Sequence, residues 1–337
     1  MERRKFLNHM VTGAAATAIG QRLVGAPIST SGSDRLGKIL PTRVLGSSGE
    51  PVTALALGGH HLGKAVKQSG EPMAEALVEA SLEEGIRFFD TAYNYHDGMS
   101  EEMYGKYLTP KYRDDVFIMS KCEARPPKPD PMTQLETSLK RMKTDYIDLW
   151  MVHTVVSAED AAKRVPEMYA VFEQAREKGL VRYFGVSGHV SNAAMLEALK
   201  VTADQPMNAM LMPMNPVDFV SQDSFIKNVL PVELEQGVAS LAMKTMNDGY
   251  ALRTKLNGKT VVPDRLSKEE NQWFTLSLPV SSWVSGMENP EQVKENAELL
   301  RRFTQLSETD RLEIAKKVLD VADEMDLQPY RKYNVKG

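Results

Sequence analysis

Three apolar runs in this chain end on residues that can move or steer a proton. Ile86-Arg87-Phe88-Phe89 runs into Asp90, and Tyr95 follows five positions later. Val116-Phe117-Ile118-Met119-Ser120 runs into Lys121, and Ile147-Asp148-Leu149-Trp150-Met151-Val152 runs into His153. Each has a plain alternative: a turn cap for Asp90, loop packing for Tyr95, a snorkelling stem for Lys121, a satisfied core imidazole for His153. Together they make a coherent proton donor. A phenol has a reference pKa near ~10, too high for an efficient acid at neutral pH. A neighbouring ammonium favours the phenolate and lowers that value. Lys121 supplies the ammonium, Asp90 pairs with and positions Lys121, and His153 orients a substrate oxygen. Such a set protonates a developing alkoxide, which is what carbonyl reduction needs. No side chain donates hydride, so a cofactor has to.

For those side chains to meet, their strands must be neighbours that end on one face. The pattern along the chain predicts this. Thr42 to Gly46 and the start of Val52 to Leu57 read as a hairpin around Ser47 to Pro51. The continuation to Leu57 reads as a first barrel strand. Strands at 86–90, 116–120, 146–152, 181–186, 208–214, 238–243 and 280–284 then alternate with helices at 74–84, 101–108, 132–142, 158–178, 193–200, 223–236 and 266–276. Regular alternation argues for parallel pairing, and eight units argue for a closed (β/α)8 barrel with sites at the C-terminal strand ends. An open doubly wound sheet would usually carry a G-x-G-x-x-G turn after its first strand, and Leu57-Gly58-Gly59-His60-His61-Leu62-Gly63 lacks that spacing. The polar insert from Asp248 to Arg265 has the length of a lid. A helix from Pro290 to Leu300 and an extra C-terminal helix from Glu308 to Glu324 follow.

The totals restrict the function classes. A net charge of −4 over 337 residues argues against non-specific nucleic-acid binding. One cysteine, Cys122, excludes an intrachain disulfide framework. No apolar run reaches the roughly 20 residues of a membrane span. The start, Arg3-Arg4-Lys5-Phe6-Leu7 followed by the modestly apolar Met10 to Ile19, has the shape of a signal peptide and resembles a twin-arginine export signal. Cleavage is expected between Ala16 and Ala26, and Ser29 to Ser33 reads as a flexible linker. The expected organisation is a signal peptide and linker over 1–35 and one barrel domain over 36–337. The expected location is periplasmic or otherwise extracytoplasmic, with the twin-arginine machinery as partner.

Asp90-Thr91-Ala92-x-x-Tyr95, with strand-end Lys121 and strand-end His153 in this order, resembles the aldo-keto reductases. The likeness runs from about Thr42 to Leu300. It implies a (β/α)8 barrel, an NADP(H)-dependent reaction on a small carbonyl or alcohol, Tyr95 as general acid, Lys121 and Asp90 as tuners of its pKa, and His153 as the orienting group. It implies further that Ser187, at the end of Arg182-Tyr183-Phe184-Gly185-Val186, holds the nicotinamide amide. It also implies that the segment from Gly286 and Met287 through Gln292 to Glu295 and Asn296 cradles the adenosine phosphate, at a helix N-terminus suited to anions. Glu295 and Asn296 match adenine contacts. Gly286 lacks a basic side chain often found there, and Gln292 replaces an arginine that grips the 2′-phosphate, so NADP and NAD both stay open. Leu211 stands where a glutamine is common. Met243 replaces the aromatic that stacks on nicotinamide, and Lys244 is placed to reach the pyrophosphate. Four residues, His96 to Met99, widen the loop beside Tyr95. Free NADPH is not expected outside the cytoplasm, so an exported member would carry its cofactor bound. Two other readings stay open: a metal-dependent barrel hydrolase using His60, His61, His96, His153 and His189, although no H-x-H pair occurs, and a nicotinamide-binding sensor without useful turnover. No metal site is expected under the leading reading.

Overall fold

Eight parallel strands close on themselves in the computed structural model. The residues described are 28–29, 31–123, 125, 127–252, 255–256, 259–260, 265–321 and 328–332. The barrel strands are β1 (Leu55–Gly58), β2 (Phe88–Asp90), β3 (Phe117–Cys122), β4 (Ile147–Val155), β5 (Val181–Gly188), β6 (Ala209–Pro213), β7 (Ala239–Met243) and β8 (Val280–Ser285). Neighbours pair in sequence order, and β8 closes on β1 with Trp283 opposite Leu55. The near-continuous apolar strands follow from burial on both faces. One face fills the barrel, with Phe88, Phe117, Met119, Leu149, Met151, Leu211 and Leu241 in a single cluster. The other face, with Phe89, Trp150, Phe184 and Trp283, packs under the helices. Each such side chain contributes roughly 1.5–3 kcal/mol by leaving water.

The helices that frame the site are α1 (Gly59–Ser69), α2 (Pro72–Glu83), α3 (Met99–Tyr107), α4 (Pro131–Met142), α5 (Ala158–Glu177), α6 (Asn192–Val201), α7 (Lys268–Leu276) and α8 (Pro290–Arg301), with α9 (Glu308–Lys316) last. Their starts are legible as caps: Asp130, Ser157, Ser191, Ser267 and Asn289 each accept a first-turn backbone N–H.

The run from Val52 to Leu57 divides, as expected, between the hairpin and the first barrel strand. Pro51–Thr53 pairs antiparallel with Thr42–Val44, and the chain turns at Ala54, whose N–H donates to Pro41 O at 2.9 Å, before entering β1. The hairpin plugs the barrel floor, with Leu45 and Val52 inside the inner cluster. Several other boundaries differ from expectation. The helix expected over 223–236 is interrupted into Phe225–Asn228 and Leu230–Glu235, with Pro231 at the second start. Gly32–Asp34, read as the end of a linker, pairs with Gly37–Ile39, and its Asp34 carboxylate meets the buried Arg87 at 2.7 Å. The terminal helix stops at Lys316, with a 3-10 turn at Leu319–Val321. Residues 1–27 and 30 of the expected signal peptide and linker (1–35), and much of the expected lid (253–254, 257–258 and 261–264), lie outside the described residues. Within the lid range, a 3-10 turn at Asn247–Leu252 and a two-stranded ribbon, Lys255–Leu256 with Lys259–Thr260, are described.

Candidate active site

Lys121 is the hub. It is one of the last residues of β3, and register brings Asp90 of β2 opposite Met119, two residues before it. The Lys121 ammonium is 1% exposed and ion-pairs with the Asp90 carboxylate. It also donates to Thr91 O at 2.8 Å and to the Tyr95 hydroxyl at 3.1 Å. The Tyr95 ring meets His153 edge-on, centroids 5.5 Å apart. All four residues singled out for proton chemistry therefore converge. β3, β4 and β5 run two or three residues past their expected ends, so Lys121, His153 and Ser187 lie within strands, held by the ladder.

The electrostatics refine the expectation. Burial pushes the Tyr95 phenol up, and the Lys121 charge offsets this only in part, so the net shift is upward. The expected lowering is thus a partial correction to a larger desolvation effect. Burial pulls the Lys121 ammonium down, but the charges of Asp90 and Tyr95 more than restore it, so it stays protonated. Asp90 is raised by burial, with Lys121 opposing. His153 is held well below the usual imidazole range by burial and then by the Lys121 charge, so at neutral pH it is uncharged. The arrangement is a neutral phenol, a fixed ammonium and a neutral imidazole around one point.

The loop that carries Tyr95 is tightly held. His96, Asp97 and Gly98 all have positive φ (52°, 59° and 94°), which reverses the chain directly after the tyrosine. The His96 Nε2 sits 2.8 Å from His60 O. A Cβ on Gly98 would stand 2.3 Å from Cζ of Arg141, and one on Gly59 would stand 2.3 Å from Asp90 O, so both glycines permit contacts no other residue could. Arg141 of α4 donates to Tyr93 O at 2.7 Å and to the buried Glu101 carboxylate at 3.0 Å. Tyr104 donates to Asp90 O at 3.0 Å. Sequence reasoning missed this supporting layer. Its one signal is a carboxylate, Glu101, on the buried side of a short helix. His60 was also missed as a neighbour of the phenol: its ring meets Tyr95 edge-on at 5.4 Å. Burial lowers its pKa to about 4, so it is neutral too.

The residues expected to hold a nucleotide are placed unevenly. Ser187 is buried at the end of β5, and its hydroxyl donates to Val152 O at 2.9 Å, leaving its lone pairs to accept. Met243 ends β7 in the inner cluster. Lys244 follows it, ion-paired with Asp248 at 2.7 Å. Gly286 is exposed, whereas Met287 is fully buried in the outer core, so its side chain lies beneath the surface where a ligand would sit. Gln292 accepts from the Glu288 N–H at 2.8 Å. Glu295 is exposed and paired with Lys268 at 2.8 Å. Asn296 is buried and donates to Ser285 Oγ at 3.1 Å, while its Oδ1 is buried with no partner among the described residues. An orphaned buried acceptor is costly, and an exocyclic amine of the adenine type would satisfy it. On this observation the α8 region fits an adenine nucleotide. The described residues include no group of three His, Cys, Asp or Glu side chains arranged to hold a metal. The metal-hydrolase alternative therefore has no donor set there.

A model of the Aldo/keto reductase family matches residues 54–319. The chain is 25% identical over 294 residues to an uncharacterized oxidoreductase, YqkF, of Bacillus subtilis, covering 78% of this chain and 92% of that one. It is 24% identical to an L-galactose dehydrogenase of Arabidopsis thaliana (75% and 86% covered) and 27% identical to a 6-dehydroglucose reductase of Novosphingobium aromaticivorans (77% and 90%). Among solved structures, an aldo-keto reductase of Bacillus halodurans in its holo form superposes with a TM-score of 0.67 at 23% identity, over 82% of this chain and 95% of that one. That likeness is one of fold.

Proposed function

This chain belongs to the aldo/keto reductase family, an oxidoreductase acting on carbonyls with a nicotinamide cofactor, and from that premise we propose how its own residues divide the work. Tyr95 donates the proton to the carbonyl oxygen during reduction and removes it during alcohol oxidation. Lys121 holds the hydroxyl in place and stabilises the phenolate left behind. Asp90 keeps the buried ammonium charged and fixed, since an unpaired ion there would be costly. The neutral His153 donates a hydrogen bond to the same substrate oxygen. A bound nicotinamide dinucleotide supplies the hydride. Ser187 would accept from its carboxamide, Lys244 would meet its diphosphate, and Asn296 would accept from its adenine.

Three finer points belong to the same reading. Gln292 stands at the α8 N-terminus, where a 2′-phosphate would call for a cation, and the Lys64 ammonium beside it is already paired with Glu288 at 2.6 Å, so NAD(H) is favoured over NADP(H). The relatives named for galactose and dehydroglucose point to a sugar-like carbonyl or hemiacetal as substrate. The arginine-paired start directs export of the folded chain by the twin-arginine route with its nucleotide bound. Mass spectrometry of the denatured mature protein from the periplasm tests that last point: no dinucleotide, or a cytoplasmic protein with residues 1–27 intact, contradicts it.

The observation that carries the catalytic reading is the Lys121 ammonium bridging Asp90 and the Tyr95 hydroxyl at 3.1 Å. Tyr95→Phe tests it. The expected result is a fall in kcat of about 10²–10⁴-fold with NADH affinity by fluorescence titration unchanged. Unaltered turnover would remove Tyr95 from the acid role. Titration of the same protein with NADPH checks the cofactor preference, and tighter NADPH binding would reverse it.

A further inference from the structure

The C-terminal residues 328–332 dock beside the ends of β6 and β7, and they reach Lys244 through a chain of hydrogen bonds. Lys244 has φ 53°, a left-handed conformation that L-residues avoid. Its carbonyl accepts from Asn215 Nδ2 at 3.0 Å. Asn215 is fully buried, and every valence of its amide is used. Oδ1 accepts from Asp218 N at 2.8 Å and from Asn247 Nδ2 at 3.3 Å. The second hydrogen of Nδ2 goes to the Tyr330 hydroxyl at 3.2 Å, which passes its own proton to Gln328 Oε1 at 3.2 Å. Tyr330 is fully buried. Its neighbour Arg331 locks the segment down, donating to Asp218 Oδ1 at 2.6 Å and Asp223 O at 2.7 Å.

We propose that Tyr330 is a positioning residue for nucleotide binding: its hydroxyl, through the Asn215 amide, holds the left-handed turn at Lys244 and so sets where that ammonium meets the cofactor diphosphate. The inference rests on the reading of Lys244 as a diphosphate contact. The geometry gives it a direction. Lys244 follows β7 at once, so its backbone conformation decides whether its side chain enters the barrel mouth or turns to the rim. Burial lowers the pKa values of His60, His61 and His189, and the Lys244 charge adds to that lowering in each. Without the Tyr330 hydroxyl one hydrogen of the buried Asn215 amide loses its acceptor, one of the four partners that hold the amide, and the turn it braces relaxes.

A double-mutant cycle on the full-length protein tests this, with NADH fluorescence titration as the readout. Lys244→Ala is expected to weaken NADH binding about tenfold and Tyr330→Phe about fivefold. The double variant is expected to bind no more weakly than Lys244→Ala alone, because the hydroxyl acts through the lysine. The salt dependence of NADH affinity flattens in Tyr330→Phe as it does in Lys244→Ala. Additive losses, or unchanged binding in Tyr330→Phe while Lys244→Ala binds weakly, overturn the inference and leave the diphosphate reading standing. Unchanged binding in Lys244→Ala overturns both. Should Tyr330→Phe fail to fold, Gln328→Leu, which removes the acceptor shared by the Tyr330 hydroxyl and Arg331 Nε and keeps the ring, gives a second comparison.

Discussion

Two effects of opposite sign act on the phenol of Tyr95. Burial favours the neutral form, the Lys121 ammonium favours the phenolate, and burial is the larger. A donor that stays protonated through neutral pH suits reduction; the reverse reaction needs the phenolate. The oxidation rate should therefore climb with pH into the alkaline range. Lys121→Met removes the stabilising charge, so its oxidation profile should shift to still higher pH, while the reduction rate keeps its plateau at neutral pH with a lower amplitude. Initial rates in both directions between pH 6 and 11 check this, and an oxidation limb that moves toward acid would show that Lys121 does not act on the phenol. His153 and His60 are both neutral at pH 7, so neither should add an acid limb near pH 6.5 to the reduction profile.

At the scale of elements, the site is a contact between α3 and α4 as much as a pair of strand ends. The guanidinium of Arg141 sits under Gly98, binds the Tyr93 carbonyl and pairs with Glu101, so α4 clamps the loop that leads into α3. Gly98→Ala should strain a φ of 94° and collide with that guanidinium. A stability loss of about 1–3 kcal/mol is expected, together with a drop in kcat/KM, because Tyr95 lies three residues away. Chemical denaturation and steady-state kinetics check the pair of effects. Loss of stability with full activity would mean that the loop does not set the tyrosine.

Across the whole molecule, two features couple distant parts to stability. Arg43, in the floor hairpin, is buried and donates to Leu276 O, Leu278 O and Val280 O, so one side chain joins the plug to the turn before β8. Arg43→Met should cost about 3 kcal/mol, since three buried carbonyls lose their partner, and thermal melting checks this. The second feature is pH. His60, His153 and His189 are all held neutral, with values near 4 for His60, below the usual range for His153, and near 3 for His189. The unfolded chain takes up protons near pH 6.5 and the folded chain does not, so ν_U exceeds ν_N below that pH and stability falls as pH falls. The contribution of these imidazoles to Tm should decline from about pH 6.5 toward pH 4, while the buried carboxyls of Glu233 and Asp218, raised by burial, act in the opposite sense. His189→Asn should flatten part of that decline, and an unchanged slope would show that His189 does not contribute.

The alternation of apolar runs and helical stretches, each ended by caps, was enough to read eight parallel strands, because burial on both faces writes itself into residue type. Strand ends were enough to nominate Asp90, Tyr95, Lys121 and His153, since one register brings successive strand ends together. The chain alone could not show which effect prevails at Tyr95, because desolvation depends on everything packed around the phenol. Nor could it show that Met287 turns inward, or that Arg141, Glu101 and Tyr330 brace the mouth from residues far off in the chain. Those contacts are long-range, and local pattern carries no record of which distant side chain fills a given space. Only the closed barrel brings them together.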